Sequence, residues 1–197
     1  MLEITHQQLR QVMAGVRPTA SRRQRGFTLV ELMVTVAIAA VAMMVGIPSF
    51  VQFIRNAKLS DATGNFMSAS NAARAQAMKT GVNTFLVPNV SADGWKSGWM
   101  VYTDKNWNAA YDAGTDEVVM RHDVISTDIT ITTTVLPGSA NTLVDGYLLF
   151  NGSGFPRMTN GGFANGRATF TTVDRASTVI FDQTGRVRTC TTGSTGC

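Results

Sequence analysis

The sequence predicts an α+β protein: one long N-terminal α-helix, apolar in its first half and amphipathic in its second, packed on an antiparallel β-sheet head. Three observations predict it. Residues 27–54 carry one charge, Glu31. Leu59, Ala62, Phe66, Ala69, Ala73 and Ala77 then recur three or four residues apart, which lines up one face of a helix. Beyond Gly81 the period changes to short β-like runs separated by Gly, Asn, Asp and Pro, the pattern of a meandering sheet.

The elements follow in chain order. Residues 1–26 hold five arginines (Arg10, Arg17, Arg22, Arg23, Arg25) against Glu3, a net of +4, which is the formal charge of the whole chain. The remainder, twelve basic against twelve acidic residues, is therefore neutral. Whole-chain basicity thus says nothing about partners once this segment is set aside. The apolar run of 27–54 would span roughly 42 Å as a helix, enough to cross a bilayer core. Arginines before it predict that residues 1–26 stay on the cytoplasmic side and the C-terminal mass is exported. A secretory signal would have a shorter apolar core and a small-residue cleavage site. Glu31 within this run is costly in hydrocarbon unless paired; a partner's charge and snorkelling to the interface both account for it. Gly46 and Pro48 mark a bend, because proline lacks the donor and clashes with the preceding turn.

The amphipathic stretch should continue to about Thr80 and stop at Gly81. Strand-like runs follow at 82–87, 98–103, 118–121, 129–135, 147–150, 168–173, 178–182 and 186–190. Asn-Gly pairs at 151–152, 160–161 and 165–166 are turn signals.

Three stretches carry candidate chemistry. In YTDKNWNAAYDAGTDE (102–117), Asp104, Asn106, Asn108 and Asp112 have the spacing of the first ligands of a calcium loop. The sharp-turn position is Ala109 and the twelfth is Thr115, where such loops need Gly and a bidentate Glu. An Asx-rich loop between two strands reads the same residues without a metal. In VIFDQTGRVRTC (179–190), Gly185 gives turn freedom, and Arg186 and Arg188 project to one face of a strand, roughly 6.8 Å apart. Two guanidiniums so placed suit successive phosphates, or blunt an exposed sheet edge. Arg157, Arg167 and Arg175 are the further cations of this C-terminal, basic section, which contrasts with the acidic stretch 93–145. Finally, Cys190 and Cys197 flank TTGSTG; in an exported head they read as a disulfide tethering the tail, worth roughly 2–3 kcal/mol at best, and in a cytosolic protein as free thiols or an incomplete metal site. Nucleophile elbow, P-loop and HExxH motifs are all missing from the sequence, which offers no cofactor motif and no enzyme.

Gly26-Phe27-Thr28-Leu29-Val30-Glu31 resembles the prepilin peptidase site of type IV pilins and type II secretion pseudopilins. The resemblance implies cleavage after Gly26, N-methylation of Phe27, and pairing of Glu31 with a neighbouring subunit's N-terminus during assembly. It divides the chain into a leader (1–26), a transmembrane and filament-core helix (27–54) and a periplasmic head (55–197). The partners it implies are prepilin peptidase, other pilin subunits and the inner membrane. Gly94-Trp95, Gly98-Trp99, the acidic loop and Val119-Met120-Arg121 are similar to the GspH/FimT subgroup of minor pilins. In that setting Trp95 and Trp99 are expected in the head core and Trp107 exposed. Gly185-Arg186-Val187-Arg188 resembles the Gly-Arg-x-Arg motif of FimT-type pilins, which implies non-specific DNA as a partner in natural transformation. A structural tip or priming subunit, of a pilus or of a secretion pseudopilus, fits the same residues without DNA.

Overall fold

The computed structural model describes residues 26–134 and 142–191. Two compact units divide the chain, Met1–Val45 and Gly46–Cys197. Helix α1 (Leu29–Thr80) contains Pro48. Its first turn is closed by Thr28, whose Oγ1 accepts the Glu31 N–H at 3.2 Å while its carbonyl accepts that of Leu32 at 3.1 Å. Thr28-x-x-Glu31 is thus the start of a capping box, with the acid beside the positive end of the helix dipole. Every side chain of 27–54 that the structure describes is exposed.

The second unit holds the head. Among the described residues nine strands follow: β1 (Thr84–Pro88), β2 (Trp99–Thr103), β3 (Glu117–His122), β4 (Thr130–Thr134), β5 (Leu148–Phe150), β6 (Pro156–Arg157), β7 (Gly166–Thr171), β8 (Ala176–Phe181) and β9 (Val187–Thr191). They form two antiparallel sheets rather than the single one expected, in the orders β3-β2-β1-β5-β6 and β4-β7-β8-β9. The helical stripe closes the core over both. Leu59, Ala62, Phe66, Ala69, Ala73 and Ala77 are all buried, with Leu86, Trp99 and Phe150 from the first sheet and Ala168, Phe170 and Val179 from the second. Phe66, 1 % exposed, is the hub, meeting Trp95, Trp99 and Phe170 edge-on at 5.3, 5.1 and 5.5 Å.

Two local expectations need correction. Asn165-Gly166 is no turn: Gly166 opens β7 and pairs with Phe181. Arg186 precedes β9 instead of starting it, because its backbone closes the β8–β9 turn on Asp182.

Candidate functional site

Helix α1 is a ruler along the head. Midway along it, Arg55 meets Asp174 of the β7–β8 turn at 3.5 Å and Lys58 meets Asp128 of the 123–129 segment at 3.1 Å. Nineteen residues after Arg55, roughly 28 Å along a helix, Arg74 reaches the other end. Its guanidinium donates to the carbonyls of Gly154 (3.0 Å), Gly185 (2.9 Å) and Thr184 (3.3 Å). One side chain therefore fastens the β8–β9 turn and the 151–154 turn to the helix. The sequence reading missed it, since an arginine on a helix gives no signal of which carbonyls it will meet.

The turn that Arg74 holds carries the predicted basic residues. Gly185 has φ +81°, and a Cβ there would stand 2.3 Å from the Gly154 carbonyl oxygen. Glycine is required by the close approach of two turns. The Asp182 carboxylate accepts the backbone N–H groups of Thr184 and Arg186 and the Thr184 hydroxyl. Burial pushes its pKa up, but the Thr184 hydroxyl, those two N–H groups and the Arg186 charge outweigh it and hold the group below its ordinary value.

Val187 packs against the core, and Arg186 and Arg188 on either side of it are exposed. β9 is an edge strand of its sheet, as β4 is at the other side. Across that sheet Arg188 pairs in register with Ile180, and Ile180 with Arg167. Val179 and Phe181 belong to the core, whereas Ile180 between them is outside it yet only 7 % exposed. Arginine stems on both sides of an apolar residue cover it in this way, and the Arg167 Nε is itself buried. Arg167 thus joins the Arg186–Arg188 face. Arg175 does not: it sits in the β7–β8 turn, at the far end of β8. Arg157 lies on the other sheet, its guanidinium 3.9 Å over the Phe163 ring.

The acidic loop joins β2 to β3, and two of its carboxylates, Asp104 and Asp116, face inward to backbone donors. Asp104 accepts the N–H groups of Asn108 and Ala109, and Asp116 those of Lys105 and Asp112. The Asp112 carboxylate takes the side-chain amides of Asn106 and Asn108, which lower its pKa. The Asx reading describes this loop. Among the described residues no group of three or more His, Cys, Asp and Glu is arranged to hold a metal. Tyr102, stacked on Phe85 at 5.3 Å, has its phenol raised above the ordinary range by burial and then by Asp104, Asp116 and Asp112. Trp95 and Trp99 are buried, and Trp95 donates to the Leu143 carbonyl at 2.9 Å. Trp107 is 62 % exposed. His122 is a structural residue, stacked on Trp99 at 4.4 Å and within 3.3 Å of the Asn65 amide.

At the N-terminus, Gly26 and Phe27 precede α1 and are exposed, and Glu31 lies in its first turn. The rest of the expected leader, 1–25, and Cys197 of the expected Cys190–Cys197 bridge lie outside the described residues.

Comparison with known proteins converges on these two regions. Residues 62–194 match the family described as type II transport protein GspH, and residues 21–47 match the prokaryotic N-terminal methylation motif. The prepilin peptidase-dependent protein D of Escherichia coli K12 is 39 % identical over 59 residues, 30 % of this chain. The chain spans only 40 % of that relative's length. Two crystal forms of the type IV minor pilin FimU of Pseudomonas aeruginosa align with TM-scores of 0.50 and 0.51 at 14 % identity. They cover 69 % of this chain and 90 % and 98 % of theirs, a likeness of fold.

Proposed function

Because this chain belongs to the GspH family of type II transport proteins and carries a prepilin methylation motif, we propose that it is a minor pilin of a type IV pilus whose head also binds DNA. At the family level it is a structural minor pilin or pseudopilin, not an enzyme. The methylation motif implies processing by prepilin peptidase and assembly with other pilin subunits. The observation that carries the reading is the exposed apolar half of α1, with Glu31 its one charge. Such a helix needs lipid before assembly and other subunits' helices after it. In this reading cleavage follows Gly26, Phe27 is methylated, and Glu31 pairs with the amino terminus of a neighbour. Glu31→Gln should leave membrane insertion intact and abolish recovery in sheared filaments; normal incorporation would refute the pairing.

The finer part, FimT-like DNA capture, rests on Arg186, Arg188 and Arg167 sharing one face of the β4-β7-β8-β9 sheet. About three phosphate contacts predict a log–log salt slope near −2.7, or roughly a 40-fold loss of affinity between 50 and 200 mM salt. Binding should be indifferent to sequence, since nothing there reads base edges. Fluorescence anisotropy with duplex DNA and the mature protein in detergent tests it. Arg186→Gln/Arg188→Gln should weaken binding and cut the slope by about 1.8; an unchanged slope would refute the assignment. A Cys190–Cys197 bridge would keep the tail close to this face.

The position of β9 favours a second reading. Edge strands use charge to prevent pairing with other sheets, so the arginines can serve a purely structural tip or priming subunit, of a pilus or of a type II secretion pseudopilus. That protein would show no salt-dependent affinity for DNA.

A further inference from the structure

Among the described residues each sheet ends in two edge strands, β3 and β6 in the first and β4 and β9 in the second. An edge leaves backbone N–H and C=O groups unpaired, and folded proteins blunt it with charge, proline, brevity or a bulge. Three of these edges are blunted. β3 carries Glu117 and Arg121, and its pairing with β2 shifts register between Val101 and Tyr102. β6 is the two residues Pro156–Arg157, and β9 carries Arg188. β4, Thr130-Ile131-Thr132-Thr133-Thr134, has no charge, no proline and an unbroken register with β7. All of its residues are β-branched, the type that suits a pleated surface.

The register tells which of its groups are open. The Thr172 N–H donates to the Arg175 carbonyl at 2.8 Å. Alternation along β7 then turns the backbones of Phe170 and Ala168 to β8, and those of Thr171, Thr169 and Arg167 to β4. Thr130, Thr132 and Thr134 pair with the latter. The N–H and C=O groups of Ile131 and Thr133 therefore point away from the sheet. Both residues line a cavity of about 900 Å³, whose other walls include the 3-10 turn Ser91–Ser97 and the segments 124–127 and 143–146. Val90, Val124 and Val144, from three separate loops, line it too and are 48, 71 and 49 % exposed. One exposed valine is ordinary on a protein surface; three beside an open strand edge form a patch. Asp93 and Asp145 line the same cavity against Lys96, and none of the three has an ion-pair partner among the described residues.

We propose that β4 is a docking edge for an extended strand of a partner protein, apolar at alternate positions and basic at its ends. The partner strand pairs with the backbone of Ile131 and Thr133 and lays its side chains on the three valines. In strand addition the main chain supplies affinity and the pockets for alternate side chains supply selection. Two acids against one cation at the cavity select a basic strand. The walls facing β4 belong to this same head, so the opening suits one extended segment and not the edge of a second folded sheet. The proposal rests on neither the DNA reading nor the membrane reading.

The test uses the full-length protein in detergent and a fluorescein-labelled probe peptide with valine and threonine alternating between lysine ends. Its anisotropy should saturate with a Kd below about 100 μM. Thr133→Pro removes an outward N–H at an edge position, where proline is tolerated, and should weaken binding at least about 3-fold. Val144→Asp, in an exposed turn, should weaken it at least as much, and both variants should keep the native melting curve by circular dichroism. Prolines at the centre of the peptide should abolish binding, and glutamate in place of its lysines should weaken it. A probe that does not saturate, a proline peptide that binds equally, or unchanged affinity in both variants overturns the docking edge. Equal or tighter binding of the glutamate peptide overturns the basic character of the partner. A concentration-dependent dimer in sedimentation, dissolved by Thr133→Pro, would give the edge to a second copy and overturn the free strand.

Discussion

Replacing Gly185 with alanine separates what this turn does for the fold from what its arginines do for function. The residue has φ +81°, and an alanine in that region costs about 1–2 kcal/mol. The added methyl would also stand 2.3 Å from the Gly154 oxygen and 3.0 Å from Arg74 Nε. The oxygen is backbone and is itself held by Arg74, so the two turns must part. Parting them strains the bonds from Arg74 to Gly154 and Gly185, each charge-assisted and worth about 1.5–3 kcal/mol. If one is lost the total is roughly 3–5 kcal/mol, a large share of the stability of an ordinary domain. Gly81→Ala is the control: its φ of +71° is similar, but no heavy atom lies within 4 Å of the new Cβ, so only the backbone penalty of about 1 kcal/mol remains. Thermal unfolding in detergent, followed by circular dichroism, should show a drop of roughly 10 °C for the first and about 3 °C for the second. Equal losses would refute the close-approach argument and leave Gly185 explained by its φ alone.

Phe66→Ala should cost about 3–5 kcal/mol, because it empties the junction between the helix and both sheets; a loss under about 1 kcal/mol in urea titration would show that the aromatics collapse into the space. The Asp182 pKa is depressed in the fold, so its stabilisation is complete above the ordinary carboxylate value and is lost as pH falls through the lower folded one. Asp182→Asn should accordingly lower stability at neutral pH and flatten the acid limb below pH 3.8, which unfolding scans against pH will read. Arg167→Gln should reduce the DNA salt slope by about 0.9 and Arg175→Gln should leave it unchanged; equal effects would contradict the facing of Arg167 with Arg188.

Much of the fold was legible because its signals are periodic. The 3.6-residue stripe named the six helix residues that enter the core, and eight of the nine strands coincide with runs read from alternation and turn residues. The ninth, Pro156–Arg157, is two residues long and has no period to read. The division into two sheets was not legible either, since pairing depends on contacts distant in sequence that local pattern leaves open. Trp95 and Trp99 could be assigned to the core from their neighbours, and Trp107 to the surface from its acidic loop. Arg74 and the Arg167–Ile180–Arg188 row were hidden for another reason. Each depends on cross-strand register or on the reach of a long side chain, and neither leaves a mark in the sequence. The cap that Thr28 places on the Glu31 N–H does have a sequence signature, Thr-x-x-Glu ahead of an apolar run.

Gly185-Arg186-Val187-Arg188 can now be divided by cause. Gly185 is fixed by the approach of two turns, and Val187 by the core it covers. Any head that uses this β8–β9 turn would have reason to keep both, whether or not it touches DNA. A glycine followed by alternating residues near the end of such a chain is therefore weak support for nucleic-acid binding. The information about function lies in the two alternate positions, where the fold asks only for an exposed side chain and the chain supplies arginine twice, with Arg167 beside them through Ile180. If the requirement were only to blunt an edge strand, lysine or glutamate would serve equally well. Lysine in place of Arg186 and Arg188 therefore makes the distinguishing comparison. A bidentate phosphate contact should weaken on that change although the charge is conserved, whereas head stability and filament incorporation should not alter. Affinity that follows charge alone, equal for arginine and lysine, would reduce the site to a diffuse electrostatic patch.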